Sequence, residues 1–132
     1  MAQAEQLLQR GPSVTRSLLP AIFNIFSDWN LKGAQQMVLL GLSNEKTLYN
    51  WKNQPEKAKL TRDLLERASY ILGIYKSLQI LLPDRTLAGQ WLSTPNDNPL
   101  FNGTTPLDRL LAGQVVDLAT VRNFLDAERG GW

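Results

Sequence analysis

Apolar residues recur at helical spacing along nearly the whole chain, and this periodicity limits the fold more than any other feature. The longest run lies in residues 55–82, where apolar side chains return every three or four positions. Its members are Leu60, Leu64, Ala68, Ile71, Leu72, Tyr75, Leu78 and Leu82. The sequence lacks the sustained apolar and polar alternation that a half-buried strand requires. We therefore predict an all-α protein.

Prolines, glycines and capping residues set the predicted helix bounds. Besides residues 55–82, we expect helices near 2–9, 20–29, 31–40, 44–51, 84–92, 106–113 and 117–128. Pro20 should be the first residue of the second helix, and Asp84, Thr105 and Asp117 should be N-caps of the last three. Residues 93–105 are dense in Pro, Asn, Thr and Gly, which predicts a loop.

The composition disfavours an enzyme. The chain has no cysteine and no histidine, which excludes disulfides, thiolate nucleophiles, imidazole bases and Cys/His metal sites. Two residue pairs could still carry chemistry, Asp108 with Asp117 and Ser93 with Lys76. Each pair is split between separate helices and has no third group to orient it. We therefore predict no catalytic residue, no cofactor and no metal.

Charge is distributed unevenly along the chain. Residues 1–90 hold 11 basic and 7 acidic side chains, whereas residues 91–132 hold 3 and 5. The basic excess is concentrated around residues 46–62, where Glu56 is the sole acid. This distribution predicts that the first part of the chain meets an anionic partner, although solvated helix faces would also explain it.

No segment predicts export or membrane insertion. Residues 1–10 are polar and amphipathic, without the apolar core of a signal peptide. The most hydrophobic stretches, residues 18–26 and 71–82, are too short or too interrupted to span a bilayer. We expect a cytoplasmic protein without membrane contact.

Residues 34–51 have the pattern of a helix-turn-helix, two short helices joined by a turn that contains glycine. Gly41 should leave the first helix with a positive φ, and Leu42 should anchor the turn in the core. Ser43 or Asn44 should cap the second helix, whose Leu48 and Trp51 should face inward. An ordinary pair of packed helices is the alternative interpretation.

The outward residues of this second helix are small, polar or basic, as base-edge readers are. Basic residues just after it could contact phosphates. The candidate DNA-binding residues are Ser43, Asn44, Lys46, Thr47, Asn50, Lys52 and Lys57.

The most distinctive stretch of the sequence lies between residues 89 and 125. Its marks are Trp91, Leu92, Asn98, Pro99, Phe101, Gly103, Pro106 and Gly113, then a final helix with Leu118, Val121 and Leu125. This pattern resembles the C-terminal toxin-binding domain of the Xre/MbcA/ParS antitoxins, which carry a helix-turn-helix upstream. The resemblance covers roughly residues 20–128.

The resemblance implies the antitoxin of a type II toxin–antitoxin pair whose toxin has a RES domain and depletes NAD. Such an antitoxin covers the active site of its toxin and binds operator DNA to regulate its own operon. With a boundary near Pro83, where the texture of the sequence changes, we predict an Xre-like helix-turn-helix region with a long dimerisation helix at residues 1–83, and a small helical toxin-binding domain at 84–132.

Candidate toxin contacts lie in the loop and at the end of the chain. They are Trp91, Pro99, Leu100, Phe101, Asn102, Arg129 and Trp132. We expect the loop to expose both Leu100 and Phe101 as an interface anchor. The alternative is that Phe101 folds back over Trp91 and Leu107. The glycines after Arg129 predict a flexible tail that could present an arginine and an aromatic ring to a cleft.

Two further expectations concern assembly and alternatives. Ile74 and Ile80 fall off the main apolar stripe of residues 55–82, which predicts a homodimer through a second face of that helix. A stand-alone helix-turn-helix transcription regulator, with a C-terminal dimer or ligand domain, would explain the same DNA-facing helix. A helical adaptor without DNA contact is another possibility.

Overall fold

The structure is a computed structural model that describes residues 2–130, with side chains from Glu5 onward. This part of the chain is all-α, as predicted, with eight α-helices, one 3₁₀ helix and no strand. The helices are α1 (Ala2–Arg10), α2 (Pro12–Asp28), α3 (Gly33–Leu40), α4 (Glu45–Asn53), the 3₁₀ helix Pro55–Lys57, α5 (Arg62–Leu81), α6 (Arg85–Ser93), α7 (Pro106–Leu110) and α8 (Val115–Glu128). None of these helices is long and apolar enough to cross a membrane.

The second helix is longer than predicted, because α2 begins at Pro12 and not at Pro20. Pro12 occupies the first turn, where a helix needs no backbone donor. Pro20 lies inside the helix with its ring exposed. The buried side chains of Thr15 and Leu19 hold the preceding turn in the core, so tertiary packing overrides the missing hydrogen bond.

Two other helix starts also differ from the prediction. Pro55 opens only the short 3₁₀ helix, and α5 begins after Thr61, whose Oγ1 accepts the amide of Leu64 at 3.1 Å. Gln114, not Asp117, is the N-cap of α8. Asp117 lies one turn in, and its Oδ2 accepts the Gln114 amide at 3.1 Å. The predicted N-caps Asp84 and Thr105 are confirmed.

Helix α5 is the central element, since it packs against α2 and α3 on one side and along α8 on the other. Ile74 is fully buried, so the expectation that it faces outward is wrong. Its neighbours on the helix surface explain this, because Gly73 and Ser77 both lie against side chains of α8. Ile80 is 52% exposed, as predicted for a residue off the main stripe.

A hydrogen bond also joins α5 to the end of α2. The Tyr75 hydroxyl donates to Oδ2 of Asp28 at 2.9 Å. Burial raises the pKa of Tyr75, and the neighbouring carboxylate raises it further. The hydroxyl therefore remains a donor throughout the neutral pH range.

Candidate DNA and toxin interfaces

The turn between α3 and α4 has the geometry that the sequence predicts. Gly41 adopts φ 70°, a left-handed conformation in which glycine carries no Cβ penalty. Its amide donates to the Val38 carbonyl at 3.1 Å, and the Leu42 amide donates to the Met37 carbonyl at 2.8 Å. This pair of bonds is a Schellman motif, which ends α3 and redirects the chain.

Helix α4 presents one face to the core and one to solvent. Asn44 is its N-cap, with Oδ1 accepting the Lys46 amide at 2.8 Å. Leu48 is buried and Trp51 is half-buried against the core, which confirms the predicted inward face. The opposite face is therefore free to contact a partner.

Most of the predicted DNA-binding residues are exposed around α4. Exposed members of the set are Ser43, Asn44, Lys46, Asn50, Lys52 and Lys57, whereas Thr47 is half-buried. The Lys52 ammonium lies 5.3 Å from the centre of the Phe23 ring, which holds this cation beside the end of α4. The structure thus gathers a basic and polar surface, which we call the α4 face.

Sequence reasoning missed Tyr49, whose side chain is 67% exposed on the α4 face. It lies one helical turn from Glu45 and one from Asn53, whose Nδ2 donates to the Tyr49 carbonyl at 3.1 Å. The same spacing that predicts Lys46 and Asn50 as outward residues includes position 49.

The loop between α6 and α7 is held by its own hydrogen bonds. Asn96 exchanges backbone bonds with Thr104 and Gly103 at 3.0 and 3.1 Å. The Asn98 side chain accepts the Leu100 amide at 3.0 Å. Asn102 adopts φ 50°, a left-handed conformation that asparagine tolerates better than most residues.

Phe101 is not the exposed anchor that the sequence predicts, because it is only 2% exposed. Its ring lies edge-on to Trp91 at 6.1 Å and to Phe124 of α8 at 5.3 Å. Trp91 and Phe124 stack on each other at 6.2 Å. The alternative in which Phe101 folds back over Trp91 is confirmed, and Phe124 completes the cluster.

The remaining predicted toxin contacts divide into exposed and covered groups. Leu100 is 42% exposed, Pro99 and Asn102 are exposed, and Trp91 is half-buried. A groove of about 350 Å³ is lined by residues that include Trp91, Phe124 and Asn96. Loop and groove together form a surface of mixed apolar and polar character, typical of a protein interface.

Arg129 is more firmly held than predicted. It is the C-cap of α8, and its side chain is 19% exposed. Nη1 donates to Ser77 Oγ at 3.1 Å and lies 3.7 Å from the Asp126 carboxylate. The expectation of an arginine free on a flexible tail is therefore wrong. Trp132 lies outside the described residues.

Comparison with known proteins assigns both parts of the chain. The antitoxin Xre-like helix-turn-helix domain matches residues 4–73, and the antitoxin Xre/MbcA/ParS C-terminal toxin-binding domain matches residues 77–131. The chain belongs to the Xre-like antitoxin family. The uncharacterized protein y4oB of Sinorhizobium fredii (strain NBRC 101917 / NGR234) is 42% identical over 113 residues, which cover 86% of this chain and 84% of that protein.

Membership of the Xre-like antitoxins supports an antitoxin function with a toxin and DNA as partners. The two matched ranges meet inside α5, the helix that packs against both parts. The domain limits at residues 83 and 84 stay a prediction.

Proposed function

We propose that this Xre-like antitoxin neutralises an NAD-depleting toxin with a RES domain, by covering its active site, and binds operator DNA to regulate its own operon. The observation that carries the DNA part is the α4 face, a solvent-facing helix surface with polar and basic side chains after a helix-turn-helix turn. The match of residues 77–131 to a toxin-binding domain supports the toxin part. Both activities belong in the cytoplasm.

The side chains of the α4 face suit the major groove, which admits an α-helix. The Asn50 amide is suited to pairing with adenine, and the Tyr49 ring is suited to the methyl group of thymine. Lys52 lies in the last turn of α4 and Lys57 in the 3₁₀ helix after it, and both are exposed and available to contact phosphates. We assign base readout to the other outward residues of α4 and backbone contacts to Lys52 and Lys57.

The charge of the chain favours a dimer on DNA. The formal net charge is only +2, and Glu45 lies in the first turn of α4, where it repels phosphates. Arg62 is paired with Glu5 at 3.5 Å, which lowers the free positive charge further. We propose a homodimer that adds two weak half-site contacts, with the exposed Ile80 near the end of α5 as part of its interface. Light scattering at micromolar concentration tests this, and a monomer would contradict it.

The toxin surface consists of the exposed tip of the loop and the groove next to it. Pro99, Leu100 and Asn102 are the predicted contacts that reach solvent. Trp91 lines the groove, whereas the buried Phe101 packs against Trp91 and supports the loop from inside the protein. An interface of this kind combines an apolar centre with a polar rim.

DNA binding is tested with a labelled duplex from directly upstream of the protein's own reading frame. Asn50→Ala should weaken specific binding by about 1–3 kcal/mol, a factor of about 5 to 150 in Kd. Lys57→Ala should lower the slope of log Kd against log salt by about 1. Lys76→Ala removes an exposed lysine from α5, far along the chain from α4, and should change neither quantity. An equal loss in all three variants would contradict the assigned face.

Toxin binding is tested by purifying the tagged protein from its host and identifying what accompanies it. Recovery of a RES-domain protein that lowers NAD when expressed alone would support the proposal. Recovery of DNA without such a partner would instead support the stand-alone transcription regulator. A Leu100→Asp variant should lose the partner and keep the duplex, because Leu100 is exposed and lies outside α4.

A further inference from the structure

Arg67 of α5 joins the helix-turn-helix to the C-terminal part of the chain, although its side chain is only 10% exposed. Nη1 donates to the Val38 and Leu39 carbonyls, both at 3.3 Å, and Nη2 donates to the Gly113 carbonyl at 3.2 Å. Nε donates to Asp63 at 2.9 Å. A single guanidinium therefore bonds to the end of α3 and to the turn between α7 and α8.

On the DNA side, Arg67 supports the turn that aims α4. The Val38 and Leu39 carbonyls belong to the last turn of α3, where the regular i+4 helical donors are lacking. Val38 also accepts the Gly41 amide, and Arg67 bonds to both carbonyls. A Cβ on Gly41 would lie 2.9 Å from the Arg67 Nε, so the guanidinium packs directly on the turn. A shift of Arg67 would therefore move the end of α3 and the start of α4 with it.

On the toxin side, hydrogen bonds continue from Gly113 to the exposed loop. The next residue, Gln114, donates its amide to Asp117 Oδ2 at 3.1 Å, and Asp117 Oδ1 accepts Arg109 Nε at 2.8 Å. Arg109 Nη1 reaches the Leu100 carbonyl at 3.4 Å. The connection from Leu100 to the helix-turn-helix turn is thus continuous.

We propose that this network couples the loop around Leu100 to the orientation of α4, with Arg67 as its central positioning residue. The inference rests on the proposed function and describes how its two sites regulate each other. A partner that presses on Leu100 alters the bond to Arg109, and the change reaches α3 through Gly113 and Arg67. Because such coupling is reciprocal, bound DNA changes toxin affinity by the same factor as bound toxin changes DNA affinity.

The chemistry of arginine suits this role. A guanidinium presents five donors in a planar fork, and Arg67 uses Nε on Asp63 of its own helix, Nη1 on the end of α3 and Nη2 on the turn before α8. A lysine keeps the charge but offers a single donor atom, so it cannot keep the bonds to α3 and to Gly113 together with the bond to Asp63. Arg67→Lys should therefore keep the positive charge and lose the coupling between the loop and α4.

The first experiment measures amide hydrogen exchange of the full chain, without toxin or DNA. Gly41 and Leu42 report on the helix-turn-helix turn, and the Leu31 amide, bonded to Phe26 at 3.0 Å, serves as an internal reference. Arg109→Gln should speed exchange at Gly41 and Leu42, relative to Leu31, by about three- to tenfold.

Arg122→Gln is the matched control. Arg122 lies on α8, is 37% exposed against 34% for Arg109, pairs with Asp126 and donates to the Ser69 carbonyl. It therefore resembles Arg109 in exposure and in having one carboxylate and one carbonyl partner, but its partners lie on α8 and α5 and outside the network of Arg67. It should leave Gly41 and Leu42 unchanged. Equal responses to the two variants would overturn the inference.

Arg67→Lys should remove the effect of Arg109→Gln on Gly41 and Leu42, and a response that persists in that background would overturn the inference. If Arg67→Lys loses its helical circular dichroism, the comparison of Arg109→Gln with Arg122→Gln decides alone. With the upstream duplex as probe, Arg109→Gln should weaken binding about three- to tenfold, and an unchanged Kd would overturn the coupling to DNA. A wild-type protein that does not bind the duplex refutes the proposed function instead, while the exchange measurement still decides the network.

Discussion

The α4 face and the loop of residues 94–105 were both predicted as partner surfaces. The two regions differ in how well the predicted exposure of their side chains agrees with the structure. At α4, the predicted outward residues Asn44, Lys46 and Asn50 are exposed, and Thr47 is half-buried. In the loop, Leu100 is exposed, whereas the adjacent Phe101 is buried. Exposure thus follows the predicted pattern on α4 and departs from it in the loop.

The difference lies in what decides burial in each region. In a helix, once two inward residues such as Leu48 and Trp51 are known, the period of 3.6 assigns every other position. A loop has no period, so its side chains are placed by whatever packs against them. Phe101 is buried because Trp91 and Phe124 reach it from α6 and α8. Exposure is therefore set by local spacing in α4 and by tertiary packing in the loop.

The largest expected effect concerns Phe101. Phe101→Ala removes the ring between Trp91 and Phe124 and should lower the free energy of unfolding by about 3–5 kcal/mol. Urea denaturation followed by circular dichroism measures this. Asn50→Ala on the α4 face is the control and should change stability by less than about 0.5 kcal/mol. A loss below about 1 kcal/mol for Phe101→Ala would return Phe101 to the list of interface residues.

The two regions also contain a pair of glycines that differ in surroundings. Gly41→Ala places a Cβ at φ 70° and 2.9 Å from Arg67 Nε, so strain and a clash add. It should lower stability by about 2–4 kcal/mol. Gly103→Ala in the loop, at φ 81° with open space around it, should lower stability by only about 1–2 kcal/mol. Thermal unfolding of the two variants compares these losses of stability. Equal losses would mean that the Arg67 side chain moves away from the added Cβ at no cost.

Local signals in the sequence predicted local structure well. The positive φ at Gly41 and the N-caps Asn44 and Thr105 follow from contacts within four residues, and the structure confirms all three. Pro20 was wrong as a helix start, because buried residues on both sides of it keep α2 continuous.

Features that depend on distant segments could not be predicted. The burial of Ile74, the anchoring of Arg129 and the network through Arg67 all require knowing that α8 packs along α5. Composition and spacing contain no information on that packing. The candidate DNA face was therefore predictable almost completely, and the candidate toxin surface only in outline.

The N-caps of α4 and α7 allow a comparison in which the expected loss of stability is smaller and equal in the two regions. Asn44 caps α4 through one side-chain bond, and Thr105 caps α7 through a bond of 2.9 Å from the Asp108 amide. Asn44→Ala and Thr105→Ala should each lower stability by about 1 kcal/mol. Chemical denaturation decides this. If the Thr105 variant were far less stable than the Asn44 variant, its cap would be holding the whole loop and not only the start of α7.

The variants with the smallest expected effect on stability should each weaken the binding of one partner and spare the other. Tyr49 and Leu100 are exposed apolar side chains, one in each region, at 67% and 42%. Tyr49→Ala and Leu100→Ala should each change the free energy of unfolding by less than about 0.5 kcal/mol. Tyr49→Ala should weaken binding of the upstream duplex and spare capture of a co-expressed RES-domain toxin, and Leu100→Ala should do the reverse. Because each side chain touches solvent in the free protein, a change in affinity without a change in stability can come only from a lost partner contact or from the network through Arg67. These two explanations are separated by measuring duplex affinity for Leu100→Ala again in an Arg67→Lys background. A loss of affinity that comes from a lost partner contact persists in that background, whereas a loss transmitted to α4 disappears.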